Sequence, residues 1–161
     1  MKIGTKSLLF GLHQFLIHPL LVYIAFIKLY KRLPNLMETI CIAIHDLGYW
    51  GQGGIDSQGG ERHPYLGAHI ARRLFGEDGW QFVIGHNDNT AKKEGLPRSA
   101  LFYADKYFYV LIPLWLHYLL GRLSGEYKEI AQREGEFMPS VYKEVVTAMF
   151  ASFSILPQQP I

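Results

Sequence analysis

Apolar residues recur along this chain at helical spacing, while strict apolar–polar alternation never persists for five residues, so the pattern predicts helices and no sheet. A first helix is expected over residues 6–17. A second, with Pro19 in its first turn, runs to Arg32, and its basic end suits a helix C-terminus. Pro34 and Asn35 interrupt the run. The stretch LMETICIAIHDL makes a third helix, which Gly48 is expected to end in a left-handed cap. Residues 48–62, GYWGQGGIDSQGGER, hold six glycines and read as an ordered surface loop. His63 and Pro64 open PYLGAHIARRLFG, a helix closed by Gly76, and a short helix near residues 80–84 leads into GHNDNT, a polar turn. RSALFYADKYFYVLIPLWLHYLLGRL is expected to be helical and kinked at Pro113, where a backbone donor is missing. Helices at about 124–134 and 139–154 precede a short tail, residues 155–161. The expected architecture is one all-α bundle over residues 1–161, with its core at about 10–125.

Composition narrows the class. A chain of 161 residues with 49% hydrophobic and 14% aromatic content can bury a real core and is not a disordered segment. A net charge of +2 is too small to make nucleic acid or an anionic membrane the main partner, yet it is compatible with a small anionic substrate. Cys41 is the single cysteine, so no internal disulfide forms, and a reducing, cytoplasmic setting is expected. Between Lys6 and Lys28 lie 21 residues without formal charge, about the length of a membrane span. His13, Gln14, His18 and Pro19 near their middle favour a buried helix pair, with membrane contact through this segment as the alternative.

Four residues stand out against their apolar surroundings. His18 follows Phe15, Leu16 and Ile17; His45 and Asp46 end the third helix; Asp105 sits in LFYADKYFYVLI. A carboxylate in such a run must be paired or bound to a metal, because desolvating it costs several kcal/mol. Lys106 is adjacent, but consecutive helical residues point about 100° apart, so the ion-pair reading needs some other basic group. Two imidazoles and two carboxylates form a mixed donor set suited to Mn, Fe, Co, Zn or Ni, with Mg also admitted.

The order His18, His45-Asp46, Asp105 resembles the H…HD…D signature of the HD-domain metal-dependent phosphohydrolases, and the likeness spans roughly residues 10–125. The resemblance implies an all-α HD-domain helical bundle in which these four residues hold one metal. HPYLGAHIARRLFG and IGHND resemble the histidine-bearing segments of the binuclear subgroups, which would give His63 and His86 a second metal, bridged by Asp46. This pattern is similar to that of the symmetrical diadenosine tetraphosphate hydrolases. Cyclic-di-GMP phosphodiesterases carry GYP and a histidine pair where this chain has GYW and Asn87 after His86, so that activity is not implied. A nearer likeness is to small bacterial HD proteins sharing HDLGYWG, an aspartate-containing loop, E-x-HP and GA, here His45–Gly51, Asp56, Glu61 to Pro64, and Gly67-Ala68.

The implied activity is metal-dependent hydrolysis of a phosphoester or phosphoanhydride, most naturally of a nucleotide or dinucleotide. Asp46 would hold the metal chemistry, with Asp56 and Glu61 as outer ligand-orienting groups or proton carriers. Lys106, Lys92 and Lys93 are the candidate phosphate contacts, and Tyr49 and Trp50 could stack on a base. The alternatives are a non-catalytic HD domain that binds a nucleotide or partner protein, and a membrane-associated hydrolase. A homodimer is compatible with either.

Overall fold

In the computed structural model, which describes residues 1–55, 62–134 and 139–152, nine helices account for almost all regular structure. They are α1 (Ile3–Phe10), α2 (Ile17–Tyr30), α3 (Leu36–Ile44), α4 (His63–Ile84), α5 (Asp88–Lys93), α6 (Ala100–Leu111), α7 (Leu114–Ser124), α8 (Glu126–Glu134) and α9 (Pro139–Ser152). A 3-10 turn, Leu47–Tyr49, follows α3, and no strand occurs among the described residues. The all-α expectation holds.

Local chemistry explains the boundaries. Asn35 caps α3: its side chain accepts from the Glu38 backbone N–H at 2.9 Å, while Glu38 accepts from the Asn35 N–H at 2.8 Å. Arg32 then grips Glu38 through two bonds of 2.7 Å each. Asn87 caps α5, a short helix where a polar turn was expected; its side chain accepts from the backbones of Asn89 and Thr90. Gly76, with φ +69° and ψ −149°, leaves helical geometry where the first stretch of α4 was expected to close, and a second helical stretch runs from there through Trp80 to Ile84. At Pro113 the expected kink is a full break between α6 and α7, since Ile112 and Pro113 are both extended. The first helix is shorter than expected and begins earlier, because the chain leaves α1 at Gly11 and turns before α2.

The core lies where α2 crosses α6 and α3 crosses α4. Val22, Ala25 and Phe26 of α2, Cys41 and Ile42 of α3, Ala68 and Ala71 of α4, and Leu101, Ala104 and Phe108 of α6 are all buried in one cluster. Gly67 permits the close approach of α4 to α3, since an added Cβ would stand 2.5 Å from the Ile44 carbonyl oxygen. Burial holds the Cys41 thiol protonated, pushing it up to about 12, which suits a packing residue rather than a nucleophile. Around this core α1 packs on α7, and α9 covers α6. No helix among the described residues is long and apolar enough to cross a membrane. The crossing of α2, α3, α4 and α6 brings the ends of distant segments together, and that convergence makes the site.

Candidate metal centre

Five chain segments deliver six buried ligand groups to one place. His18 stands in the first turn of α2, His45 and Asp46 at the end of α3, His63 at the start of α4, His86 just beyond its end, and Asp105 within α6. The Nε2 atom of His18 lies 3.2 Å from His45 Nε2, 3.2 Å from Asp46 Oδ2 and 3.2 Å from Asp105 Oδ1. His45 Nε2 is 3.4 Å from Asp46 Oδ2 and 3.8 Å from Asp105 Oδ1. On the other side of the same carboxylate, His63 Nε2 lies 3.5 Å and His86 Nε2 3.7 Å from Asp46 Oδ1, and the two imidazole nitrogens are 3.1 Å apart. Atoms bonded to one ion at about 2.1 Å stand about 3.0–3.5 Å apart at octahedral and tetrahedral angles. Most of the separations in both groups fall in that range, His45–Asp105 at 3.8 Å and His86–Asp46 at 3.7 Å being wider, and Asp46 supplies one oxygen to each group.

The donors are also oriented for a cation. His45 Nδ1 donates to the Ile42 carbonyl at 2.8 Å, and His86 Nδ1 donates to the Val83 carbonyl. Each bond runs three residues back along the chain, fixes the tautomer, and turns the Nε2 lone pair into the cluster. Asp46 Oδ2 is buried with the His18 and His45 Nε2 atoms 3.2 and 3.4 Å away but no well-aligned hydrogen bond, a crowding of lone pairs and carboxylate that a metal would relieve. Tyr49 stacks on His63 with ring planes 10° apart and centroids separated by 4.1 Å, which holds that imidazole in place. The stacking partner of Tyr49 is therefore a histidine of the cluster.

Burial alone would raise the Asp46 and Asp105 carboxyls, but neighbouring charge wins. His45, His18 and His86 hold Asp46 well below the usual carboxylate range, and Lys106, His18 and His45 do the same for Asp105. Burial likewise tends to lower His18, yet its bonds to Asp105 and Asp46 carry it up to about 9. Lys106 does reach Asp105, with Nζ 3.4 Å from Oδ2, despite being the next residue in sequence. Four methylenes let the ammonium bend back across an angle that short side chains cannot span. The ion-pair partner of Asp105 is thus the residue that spacing argued against.

A cavity of about 260 Å³ opens beside the cluster, and its walls include Asp46, His63, His86, Asn87, Asp105 and Lys106. Tyr49 also lines it, but Trp50, Lys92 and Lys93 are exposed and lie outside its walls. Asp88 is bound in a two-pronged pair with Arg98 and is not offered to the cavity. Asp56 and Glu61 lie outside the described residues. His69 rests against Trp80, and His117 hydrogen-bonds the Tyr127 hydroxyl; neither lines the cavity.

The sequence reading gave one contributor the wrong role and missed another. Gly48 has no left-handed conformation; it is needed because a Cβ there would sit 1.9 Å from the His63 carbonyl oxygen. Gly48→Ala should push the start of α4 away, costing about 1–3 kcal/mol of stability. Thermal unfolding would register that loss, and metal titration should show weaker binding of the second equivalent than of the first. An unchanged titration would remove Gly48 from the site. The other is Glu126, wholly buried on the cavity wall. As the first residue of a helix it reads like an ordinary dipole-complementing acid, which hid it. No family model, curated protein or solved structure matches this chain.

Proposed function

We propose that this protein is a binuclear metal-dependent phosphohydrolase of the HD-domain type, acting on a small phosphorylated substrate such as a nucleotide. The observation that carries the reading is the Asp46 carboxylate, buried and shared between a His18/His45 group, with Asp105 3.2 Å from His18, and a His63/His86 group. The neutral imidazoles of His18, His45, His63 and His86, with the two aspartates, would hold the ions. Divalent ions there would supply Lewis acidity toward water and toward phosphoryl oxygens. Lys106, on the cavity wall beside Asp105, adds a positive charge for the phosphoryl group. The phenol of Tyr49 and the Phe108 ring pack against His63 and His18 and keep the ligands from swinging outward. The test is elemental analysis of purified protein beside a hydrolysis screen of phosphomonoesters, nucleotides and dinucleotides with Mn, Co, Zn, Ni, Fe and Mg. Near-stoichiometric metal with no hydrolysis of any of them would turn the assignment toward a binding domain.

One observation favours a membrane-surface setting for this activity. Residues 1–37 contain no Asp or Glu but five Lys or Arg, and residues 107–125 carry only Arg122. The helices in these segments, α1 and α7, pack together and expose Phe10, Leu114, Trp115, Leu119 and Leu123, with Phe15, Leu16 and Leu20 exposed at the entry to α2. An apolar surface on segments that carry no carboxylate and a net positive charge suits an anionic bilayer. The chain should sediment with vesicles containing phosphatidylglycerol more than with phosphatidylcholine alone, and Trp115→Glu with Leu119→Glu should cut that binding by about tenfold. Equal binding to both vesicle types, or a dimer that these changes dissociate, would overturn the bilayer reading.

A further inference from the structure

Among the described residues, the cavity wall holds one acidic group outside the His/Asp cluster. Gly125, with φ +86°, turns the chain sharply out of α7, and Glu126 begins α8 with its side chain fully buried. Its two carboxylate oxygens differ. Oε1 accepts from the Leu12 backbone N–H at 2.9 Å. Oε2 is buried without a hydrogen-bond partner, and the nearest basic atom, His13 Nδ1, stands 3.7 Å away and is shared with the Ser7 hydroxyl at 2.8 Å. Glu126 and His13 both line the cavity that also contains Asp46, His63, His86 and Lys106.

Holding one backbone N–H needs only a neutral acceptor, so a structural role leaves the second oxygen unexplained. Nor does that oxygen suit the phosphoryl group, since an acceptor facing phosphoryl acceptors makes no bond and the Lewis-acidic end of the cavity is already the phosphoryl site. An acceptor on the wall of such a cavity suits a hydroxyl donor on the organic part of the substrate. We propose that Glu126, positioned by the Leu12 N–H and flanked by His13, binds a hydroxyl of the alcohol that carries the phosphate. The substrate class is then a hydroxyl-bearing phosphomonoester: a sugar phosphate or a nucleoside monophosphate. This rests on the phosphohydrolase reading above.

A site built to accept from a hydroxyl rejects analogues that lack it far more strongly than an apolar pocket rejects a missing methyl. The metal-loaded full chain should therefore be assayed on ribose 5-phosphate, a nucleoside 5′-monophosphate and p-nitrophenyl phosphate. Glu126→Gln keeps an acceptor for Leu12 but turns the other atom into a donor. It should lower the kcat/KM ratio of hydroxyl-bearing to aryl ester by about tenfold or more, with metal content unchanged. An equal loss on all three substrates would mean that Glu126 only supports the fold. A second measurement needs no variant: the wild-type chain should cleave a 2′,3′-dideoxynucleoside monophosphate about tenfold less efficiently than the parent nucleotide. Equal efficiency overturns the inference. Absence of hydrolysis on every ester, with metal bound, instead sinks the phosphohydrolase reading and this inference with it.

Discussion

Asp46→Ala should leave a folded protein that binds neither metal ion and hydrolyses nothing. Asp46 is the one side chain with an oxygen in each donor group, 3.2 Å from His18 Nε2 on one side and 3.5 Å from His63 Nε2 on the other. Its loss should exceed the about 10–100-fold in metal affinity that outer-sphere partners typically cost. Stability separates this from simple misfolding. In the metal-free state the change removes one of the two carboxylates that hold His18, so the melting temperature in chelator should fall, and the discriminating readout is the rise on adding metal. Added metal stabilises the native chain by mass action, about 4 kcal/mol per site at a thousandfold excess over Kd, and the variant should show no such rise. Elemental analysis, melting curves with and without metal, and turnover decide the matter together. Asp46→Asn, which preserves shape but loses the bridging charge, should behave the same way. A variant that retains two ions would show that Asp46 is not shared between them.

The parts of this site legible in the sequence are those where a polar group interrupts an apolar helix. His18, His45, Asp46 and Asp105 each violate the pattern of their own segment, and each turns out to be buried against the others. Their convergence was not legible from periodicity, since it depends on α2 crossing α6 and α3 crossing α4. What hid Gly48 was a contact with His63, fifteen places along the chain, that no local rule reports. Glu126 was hidden differently: a helix-opening glutamate looks like a solvated residue, and only the packing of α1 and α7 around it reveals burial. Lys106 was set aside by a rule about helix geometry that holds for side-chain directions but not for the reach of a flexible stem. Lys92 and Lys93, by contrast, are charged, adjacent and exposed, the ordinary state of a lysine pair.

Removing the metal should make the protein sensitive to alkali. In the metal-free chain His18 is protonated at neutral pH, its Nε2 held between Asp46 and Asp105 at 3.2 Å from each. Its pKa, raised from 6.5 to about 9, lies above the unfolded value, so protonation favours the folded state. That contribution is fully present below pH 6.5 and is lost as pH rises through about 9. At 1.36 kcal/mol per pH unit it amounts to about 3 kcal/mol. Chelator-treated protein should therefore lose stability between pH 6.5 and 9, whereas metal-loaded protein should not, because the ion has already displaced the proton. The same competition makes metal binding release a proton, so affinity should rise about tenfold per pH unit until His18 is neutral in the free chain. His18→Ala should abolish the alkaline slope of the metal-free protein. If chelated protein is equally stable at both ends of this range, the histidine is not a charged clamp. The two aspartates would then face each other across a neutral ring, a state their desolvation strongly opposes.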